Sequence, residues 1–337
     1  MIFKKFSNSY LYSISQSKSQ RYSQLKKRQS LFKTSARILC LLGFASFSIA
    51  SETQIKAVNT QSNISGGEIA PALVSNADSW FQVPQANTVT FKTAHGDVVI
   101  ALHPTLAPKH VARFKSLIDA GFYNEQAFYR VVDGFVAQAG SNDTHDSSRF
   151  AANLLTPINA EFTQPLNSNV NVVESRDMFA PHTGFLDGFP VGVDKNRKEM
   201  WGLHCPGVVA FARNSEKDTA STEFYIVIGQ APRHLDRNMS VIGRVVKGME
   251  LLQKLPRGNM DTGGVLDNIT LESIIKQAFV HNSNSAPYFL QTPNHEEYKK
   301  RANTGRNLDN PFFHDNTYGP RPIDACYYQT KVSDNAW

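Results

Sequence analysis

Apolar and polar residues alternate over short stretches of this chain, which is the pattern of half-buried β-strands. Residues 89–93 show it first, a turn at Gly96 follows, and Val98, Ile100 and Leu102 continue it, so the sequence predicts a β-hairpin. Similar stretches predict strands at 127–131, 136–139, 207–212, 224–228, 240–246 and 269–275.

Two segments have helical rather than alternating spacing. The first, 107–118, has Pro108 in its first turn and ends before Gly121, as helices commonly do. Its apolar positions form one stripe: Val111, Phe114, Leu117 and Ile118. A short second helix is predicted at 249–255. Many strands with two helices favour a mainly β, closed antiparallel barrel over a parallel α/β fold.

The first fifty residues contain nine Lys or Arg residues and no acidic residue. An apolar stretch at 38–47 follows, and Ser48-Ile49-Ala50 completes the order of a secretory signal peptide at 1–50. The apolar stretch is shorter than the roughly 20 residues of a membrane span. We therefore expect export. Together with the family resemblance described below, the signal favours the bacterial periplasm, and a eukaryotic secretory route is the alternative. An uncleaved anchor and a disordered basic tail remain alternatives.

Removing the predicted signal peptide (1–50), called the leader from here on, changes the net charge of the chain. Taking its nine basic residues from the total of 35 leaves 26 against 29 acidic ones, a net charge of −3 instead of +6. The argument for nucleic-acid binding therefore disappears, and no membrane span is expected after cleavage. Residues 51–85 are rich in Ser, Asn, Gln and Ala, which predicts a flexible linker.

Two cysteines, Cys205 and Cys326, remain after the leader. In an oxidising compartment they permit one disulfide, which would tie the C-terminal residues to the barrel; two buried free thiols are the alternative. His182 and His204 lack metal-ligand spacing, so we expect ordinary hydrogen-bonded loop histidines and no metal. The C-terminal extension, 279–337, is rich in aromatic residues and is expected to dock on the barrel; partner binding is the alternative.

The candidate chemistry lies around Arg130, which stands among aromatic residues and precedes Gln138 by eight positions. Arginine does not lose its proton near neutral pH. Beside an apolar slot and an amide side chain, it can hold and twist a peptide bond without an acid, a base or a metal. The rate at which the protein twists such a bond would then depend little on pH from about pH 6 to 8.

Three further blocks accompany Arg130: 211–214 (Phe-Ala-Arg-Asn), 222–226 (Thr-Glu-Phe-Tyr-Ile) and 235–245, which begins Leu-Asp-Arg-Asn and ends Gly-Arg-Val. As a set they resemble the cyclophilin-type peptidyl-prolyl cis-trans isomerases over residues 86–143 and 206–277. The resemblance implies a closed eight-stranded antiparallel barrel capped by two helices, in a domain at 86–278 with a long insertion at 144–205. The insertion is expected to fold as packed loops over one end of the barrel.

The resemblance also implies the site. Arg130 and Gln138 would be catalytic, with no cofactor, and either Phe224 or Tyr225 would form a wall of the proline slot. The implied substrate-binding residues are Phe135, Val136, Ala212, Arg213, Glu223, Phe224, Tyr225, His234, Leu235 and Met239. The implied function is rotation of X-Pro bonds during folding of exported proteins. The partners would be proline-containing unfolded or partly folded polypeptides, bound by a monomer.

Several positions depart from the family pattern. They are Val136 for methionine, Glu223 for glutamine, Tyr225 for phenylalanine, His234 for tryptophan and Met239 for histidine. His234 predicts weak inhibition by cyclosporin. The carboxylate of Glu223 would either favour basic residues near the substrate proline or pair with Arg213. The substitutions keep open a catalytically silent module that binds proline peptides as a chaperone or scaffold.

Overall fold

The computed structural model describes residues 78–141, 148–317 and 319–335. The predicted signal peptide and residues 51–77 of the predicted linker lie outside these ranges. Within them the chain is mainly β, and no helix there is long and apolar enough to cross a membrane.

The strands, in chain order, are β1 (Trp80–Val83), β2 (Thr88–Thr93), β3 (Gly96–Leu102), β4 (Gln126–Ala127), β5 (Arg130–Val131), β6 (Val136–Ala139), β7 (Gln164–Pro165), β8 (Asn171–Ser175), β9 (His182–Leu186), β10 (Phe189–Asp194), β11 (Glu199–Gly202), β12 (Val208–Phe211), β13 (Phe224–Val227), β14 (Val241–Lys247), β15 (Ile274–Val280), β16 (Tyr288–Gln291) and β17 (Val332–Ser333). The α-helices are α1 (Pro108–Asp119), α2 (Ala152–Leu155), α3 (Met249–Leu252) and α4 (Glu296–Asn307).

Nine strands form one curled antiparallel sheet in the order β4-β15-β2-β3-β14-β12-β13-β6-β5. The two outermost strands, β4 and β5, are separated along the chain by Phe128 and Tyr129. At that break the Phe128 amide donates to the carbonyl of Ser273, and the Tyr129 carbonyl accepts from the amide of Leu266. The sheet is therefore open between β4 and β5, and the closed eight-stranded barrel is not confirmed.

The predicted hairpin and first helix are confirmed as β2–β3 and α1. The second helix, α3, ends three residues earlier than predicted, at Leu252. The last strand of the main sheet, β15, begins at Ile274 instead of residue 269, because Leu271–Ser273 forms a 3₁₀ turn.

The inner face of the curled sheet packs around α1. Phe91 of β2, Phe114 of α1 and Tyr123 are buried there with ring centroids 5.3–6.2 Å apart. Fully burying an aromatic side chain contributes on the order of 2–3 kcal/mol, so this cluster is a main source of stability for the sheet.

The insertion forms a second, five-stranded sheet in the order β7-β11-β10-β9-β8. Its buried side chains, among them Phe185 and Trp201, share one apolar cluster with Val208, Val227 and Val241 of the main sheet. The prediction that the insertion folds as packed loops over one end of the barrel is therefore wrong. The insertion is a sheet that covers the outer face of β12, β13 and β14.

The C-terminal extension docks, as predicted. Its strand β16 pairs with β1 on one side and β17 on the other, and Cys326 forms a disulfide with Cys205 at a Cα–Cα distance of 4.8 Å. Because β1 takes residues 80–83 from the predicted linker, that part of the linker prediction is wrong.

Candidate active site

The register of four strands brings the predicted site residues onto one row. Arg130 of β5 lies opposite Gln138 of β6, Gln138 opposite Tyr225 of β13, and Tyr225 opposite Ala210 of β12. Directly paired residues share a face of the sheet, as do residues two apart on one strand. Val136 therefore lies on the same, outer face as Arg130, Gln138 and Tyr225.

The Arg130 guanidinium is half-buried and held by two hydrogen bonds. Nε donates to the carbonyl of Gly263 at 2.8 Å, and Nη1 donates to Oε1 of Gln138 at 3.1 Å. Two bonds from one planar group fix its plane. The Nη2 group makes no hydrogen bond with any residue that the structure describes, so its donors remain available to a substrate.

An apolar niche lies along the same face. Val136 and Tyr225 are buried, and the half-buried side chains packed against the same cluster include Phe135, Ala212, Leu235 and Met239. The exposed imidazole of His234 stacks on Phe135, with ring centroids 6.3 Å apart and planes 18° from parallel. The predicted slot residues, Phe224 excepted, therefore belong to one apolar cluster, which includes Val136 and Tyr225 on the face that bears Gln138.

Phe224 does not line this niche, so its assignment as a substrate-binding residue is wrong. Its side chain lies on the inner face of β13, opposite to that of Tyr225. It is fully buried against Phe91, Phe114 and Tyr123, with ring-centroid distances of 5.1–5.5 Å. Alternation along the strand leaves Tyr225 as the wall of the niche.

Glu223 does not pair with Arg213, so that prediction is also wrong. Arg213 Nε donates to the carbonyl of Asn238 at 3.0 Å, and its guanidinium lies 5.3 Å from the ring centroid of Phe162. Glu223 Oε2 instead accepts the hydroxyl of Tyr129 at 2.6 Å and Nε2 of Gln138 at 3.3 Å.

The environment of Glu223 favours its neutral form. Burial raises the pKa of this carboxyl to about 7, although the hydrogen bonds from Tyr129, Gln138 and the Ser141 backbone act in the opposite direction. Burial, together with the carboxylate of Glu223, also raises the pKa of Tyr129. The Arg130–Gln138 pair is therefore attached to a carboxyl group that titrates near neutral pH.

A buried polar chain supports the niche from the insertion side. His204 Nε2 lies 2.8 Å from the Tyr225 hydroxyl, and His204 Nδ1 lies 3.0 Å from Oδ1 of Asp236. Asp236 Oδ2 accepts Arg233 Nε at 2.5 Å, and Arg233 Nη1 donates to Asp177 at 2.6 Å. The chain of contacts joins the niche wall to the turn between β8 and β9.

Both histidines are hydrogen-bonded, as predicted: His204 through this chain, and His182 through Nδ1, which lies 3.2 Å from the Ser175 hydroxyl. His204 lies in a loop, but His182 is the first residue of β9, so its placement in a loop is wrong. Within the described ranges, no group of His, Cys, Asp and Glu side chains is placed to hold a metal ion.

Sequence reasoning missed four supporting residues: Tyr129, Asp177, Arg233 and Gly263. Strict alternation from Arg130 would place Tyr129 on the inner face. The break between β4 and β5 instead lets its hydroxyl reach Glu223. Asp177 and Gly263 come from distant loops, and no local spacing signals their contacts. Arg233 is adjacent to His234 and pairs with Asp236 three residues further on.

Comparison with known proteins agrees with this geometry. The family model described as cyclophilin type peptidyl-prolyl cis-trans isomerase/CLD matches residues 88–276. A probable peptidyl-prolyl cis-trans isomerase of Brucella suis is 31% identical over 182 residues, covering 54% of this chain and 78% of that protein. Peptidyl-prolyl cis-trans isomerase CYP23 of Arabidopsis thaliana is 30% identical over 186 residues, covering 55% and 67%.

A solved structure supports the fold. The crystal structure of the cyclophilin AquaCyp293 from Hirschia baltica matches with a TM-score of 0.57 and 22% identity, over 80% of this chain and 98% of that one. The family match covers more than half of this chain. The chain therefore belongs to the cyclophilin-type peptidyl-prolyl cis-trans isomerase family.

Proposed function

We propose that this protein accelerates the cis–trans rotation of X-Pro bonds in exported polypeptides, with Arg130 as the catalytic residue. The observation that carries the proposal is the guanidinium of Arg130, fixed through Nε and Nη1 on the face that also bears the apolar niche. Substrates would be proline-containing segments of unfolded or partly folded chains.

The reaction needs stabilisation of a twisted amide. The barrier to rotation is about 18–20 kcal/mol because the planar amide is resonance-stabilised, and the uncatalysed step takes about 10–100 s at 25 °C. In the twisted state the prolyl nitrogen regains its lone pair and becomes a hydrogen-bond acceptor. A donor at Nη2 of Arg130 would then bind the twisted state better than either planar isomer, which is the requirement for catalysis.

The niche would hold the proline ring while Arg130 acts on the nitrogen. Tyr225, Phe135 and Leu235 offer aromatic and aliphatic walls that suit an apolar ring. Gln138 stays neutral, so its amide holds the guanidinium without adding a charge. No step of this mechanism requires a cofactor.

An exported location supports the folding role. The leader at 1–50 has the order of a signal peptide, and the Cys205–Cys326 disulfide suits an oxidising compartment. Cell fractionation and mass spectrometry of the mature N-terminus test this part. Recovery in the periplasm, cut near Ala50, is expected, and a full-length cytosolic chain would contradict it.

The competing function is a silent module that binds proline peptides without turning them over. Val136, Glu223 and His234 favour it, because each departs from the family pattern in the groove. The two functions separate in one assay. Our proposal predicts that the wild-type protein accelerates isomerisation of a short X-Pro peptide, followed by NMR exchange, and also speeds proline-limited refolding. Peptide binding with no acceleration of either process would establish the silent module instead.

A further inference from the structure

Three side chains hold the Gln138 amide in one orientation. Its Nε2 donates to the Tyr129 hydroxyl at 2.8 Å and to Glu223 Oε2 at 3.3 Å. Its Oε1 accepts Nη1 of Arg130 at 3.1 Å. A glutamine amide has two N–H donors at one end and an oxygen at the other. These partners therefore decide which end faces the guanidinium.

The carboxyl group of Glu223 is itself held in place by neighbouring residues. It precedes Phe224, the first residue of β13, and accepts the Tyr129 hydroxyl at 2.6 Å. Gly140 of the neighbouring segment lies against its other oxygen, since a Cβ added there would stand 2.4 Å from Oε1. The carboxyl group is therefore confined on both sides.

We infer that Glu223 is a positioning residue of the isomerase site, which orients Gln138 toward Arg130 and makes the rate depend on its own charge state. This inference rests on the proposed function. It differs from the two roles expected from sequence, since neither a basic substrate residue nor Arg213 is involved.

The groups around Glu223 determine the direction of the pH effect. Among the described residues, Tyr129 faces it across the hydrogen bond, Tyr123 lies buried below, and the guanidinium of Arg130 stands beyond Gln138. Arg113 of α1 lies further out, beside Tyr123. None of the cations among these groups contacts the carboxyl of Glu223. Burial therefore has the largest effect on its pKa, and the carboxyl takes up a proton near pH 7.

Protonation would weaken the hold on Gln138. The ionised carboxylate is acceptor-only and strongly favours the N–H end of the amide. The neutral acid is a weaker acceptor and can itself donate, so its bond to Nε2 is lost, and only Tyr129 and Nη1 of Arg130 then hold the amide. Turnover should therefore fall as the pH drops from 8 to 6, instead of staying flat as Arg130 alone would predict. The expected fall is about two- to tenfold, the range that corresponds to one ordinary hydrogen bond.

Two variants test the inference. Glu223→Ala should lower kcat at every pH between 6 and 8, with a smaller change in KM. Glu223→Gln keeps an oxygen acceptor but cannot ionise, so it should recover most of that loss and make the profile flat. Tyr129→Phe, which leaves Glu223 in place, should keep the pH dependence. A wild-type profile as flat as that of Glu223→Gln, or a Glu223→Ala enzyme with wild-type kcat, would overturn the inference.

A second readout does not depend on turnover. The side-chain ¹⁵N–¹H signals of Gln138 report the orientation of its amide directly. They should shift with an apparent pKa near 7 in the wild-type protein and remain constant in Glu223→Gln. Constant signals in both proteins would refute the positioning role, even if the proposed function itself failed and no peptide were isomerised.

Discussion

Asp177 tests whether the insertion holds the niche in place. It lies in the turn between β8 and β9, where its carboxylate accepts Nη1 and Nη2 of Arg233 at 2.6 and 3.2 Å. It also accepts the backbone amides of Phe179 and Ala180 at 2.6 and 3.0 Å. The side chains of Asp177 and Arg233 are 10% and 4% exposed, so solvent screens their attraction little. Arg233 directly precedes His234 at the niche.

The structure separates two contributions of Asp177. Asp177→Asn keeps an oxygen for the backbone amides but removes the charge that faces Arg233. Breaking a buried ion pair costs about 3–5 kcal/mol, but Asp236 still pairs with Arg233. We therefore expect about 2 kcal/mol, within the range for a hydrogen bond to a charged group. Asp177→Ala also loses the turn acceptors, which adds about 1 kcal/mol.

Urea unfolding at pH 7 measures these free energies, and peptide kinetics measure the effect on the niche. We expect KM to rise and kcat to stay unchanged, because Arg130 and Gln138 lie on β5 and β6 and not in the turn that contains Asp177. Asp194→Asn is the matched control: its carboxylate accepts backbone amides in another turn of the same insertion. The control should change stability by less than about 0.5 kcal/mol. The reasoning fails if Asp177→Asn is no more destabilising than the control and leaves KM unchanged.

Three further predictions concern the site, the disulfide and acid stability. Gly140→Ala should lower both kcat and stability, because the new Cβ would stand 2.4 Å from Glu223 Oε1 at a φ of +145°. Cys326→Ser should reduce the free energy of unfolding by about 2–4 kcal/mol, measured by urea denaturation. Glu161→Gln should remove an acid-sensitive contribution to stability. Burial opposes ionisation of Glu161, but hydrogen bonds from the His110 side chain and from backbone amides outweigh it and lower the pKa. This contribution is complete above about pH 4.5 and is lost as the pH falls through the lowered pKa.

Each of these has a contrary result. Wild-type kinetics in Gly140→Ala would mean that Glu223 can move without cost. Equal denaturation midpoints for Cys326→Ser and the oxidised protein would show that the disulfide adds no stability. Parallel acid-unfolding curves for wild type and Glu161→Gln would rule out the linkage.

Local patterns predicted the main sheet well, because alternation and helical spacing report burial directly. The hairpin, α1 and the face shared by Arg130 and Gln138 follow from spacing in that way. The second helix and last strand were less well placed, since short elements end at turns that depend on distant contacts. Closure of the barrel could not be predicted, because it depends on hydrogen bonds of Phe128 and Tyr129 with residues more than 130 positions away.

The sequence predicted which residues form the site better than it predicted the contacts that these residues make. Strand alternation separates Tyr225 from Phe224, and it could have been applied from sequence once β13 was placed. The partner of Glu223 could not, because Tyr129 reaches it only through an irregular break. Similarly, the pairing of Asp177 with Arg233 joins segments 56 residues apart. Periodicity carries no information about such a contact.

The central claim concerns the guanidinium of Arg130, and one comparison tests it most directly. The rate of isomerisation of a short X-Pro peptide should be measured by NMR exchange for the wild-type protein and for Arg130→Ala, with peptide binding and urea unfolding measured in parallel. We predict that Arg130→Ala loses most of the acceleration, at least about a hundredfold as for a removed oxyanion-type donor, while it remains folded and still binds the peptide. A folded Arg130→Ala protein that isomerises the peptide at the wild-type rate would contradict the account.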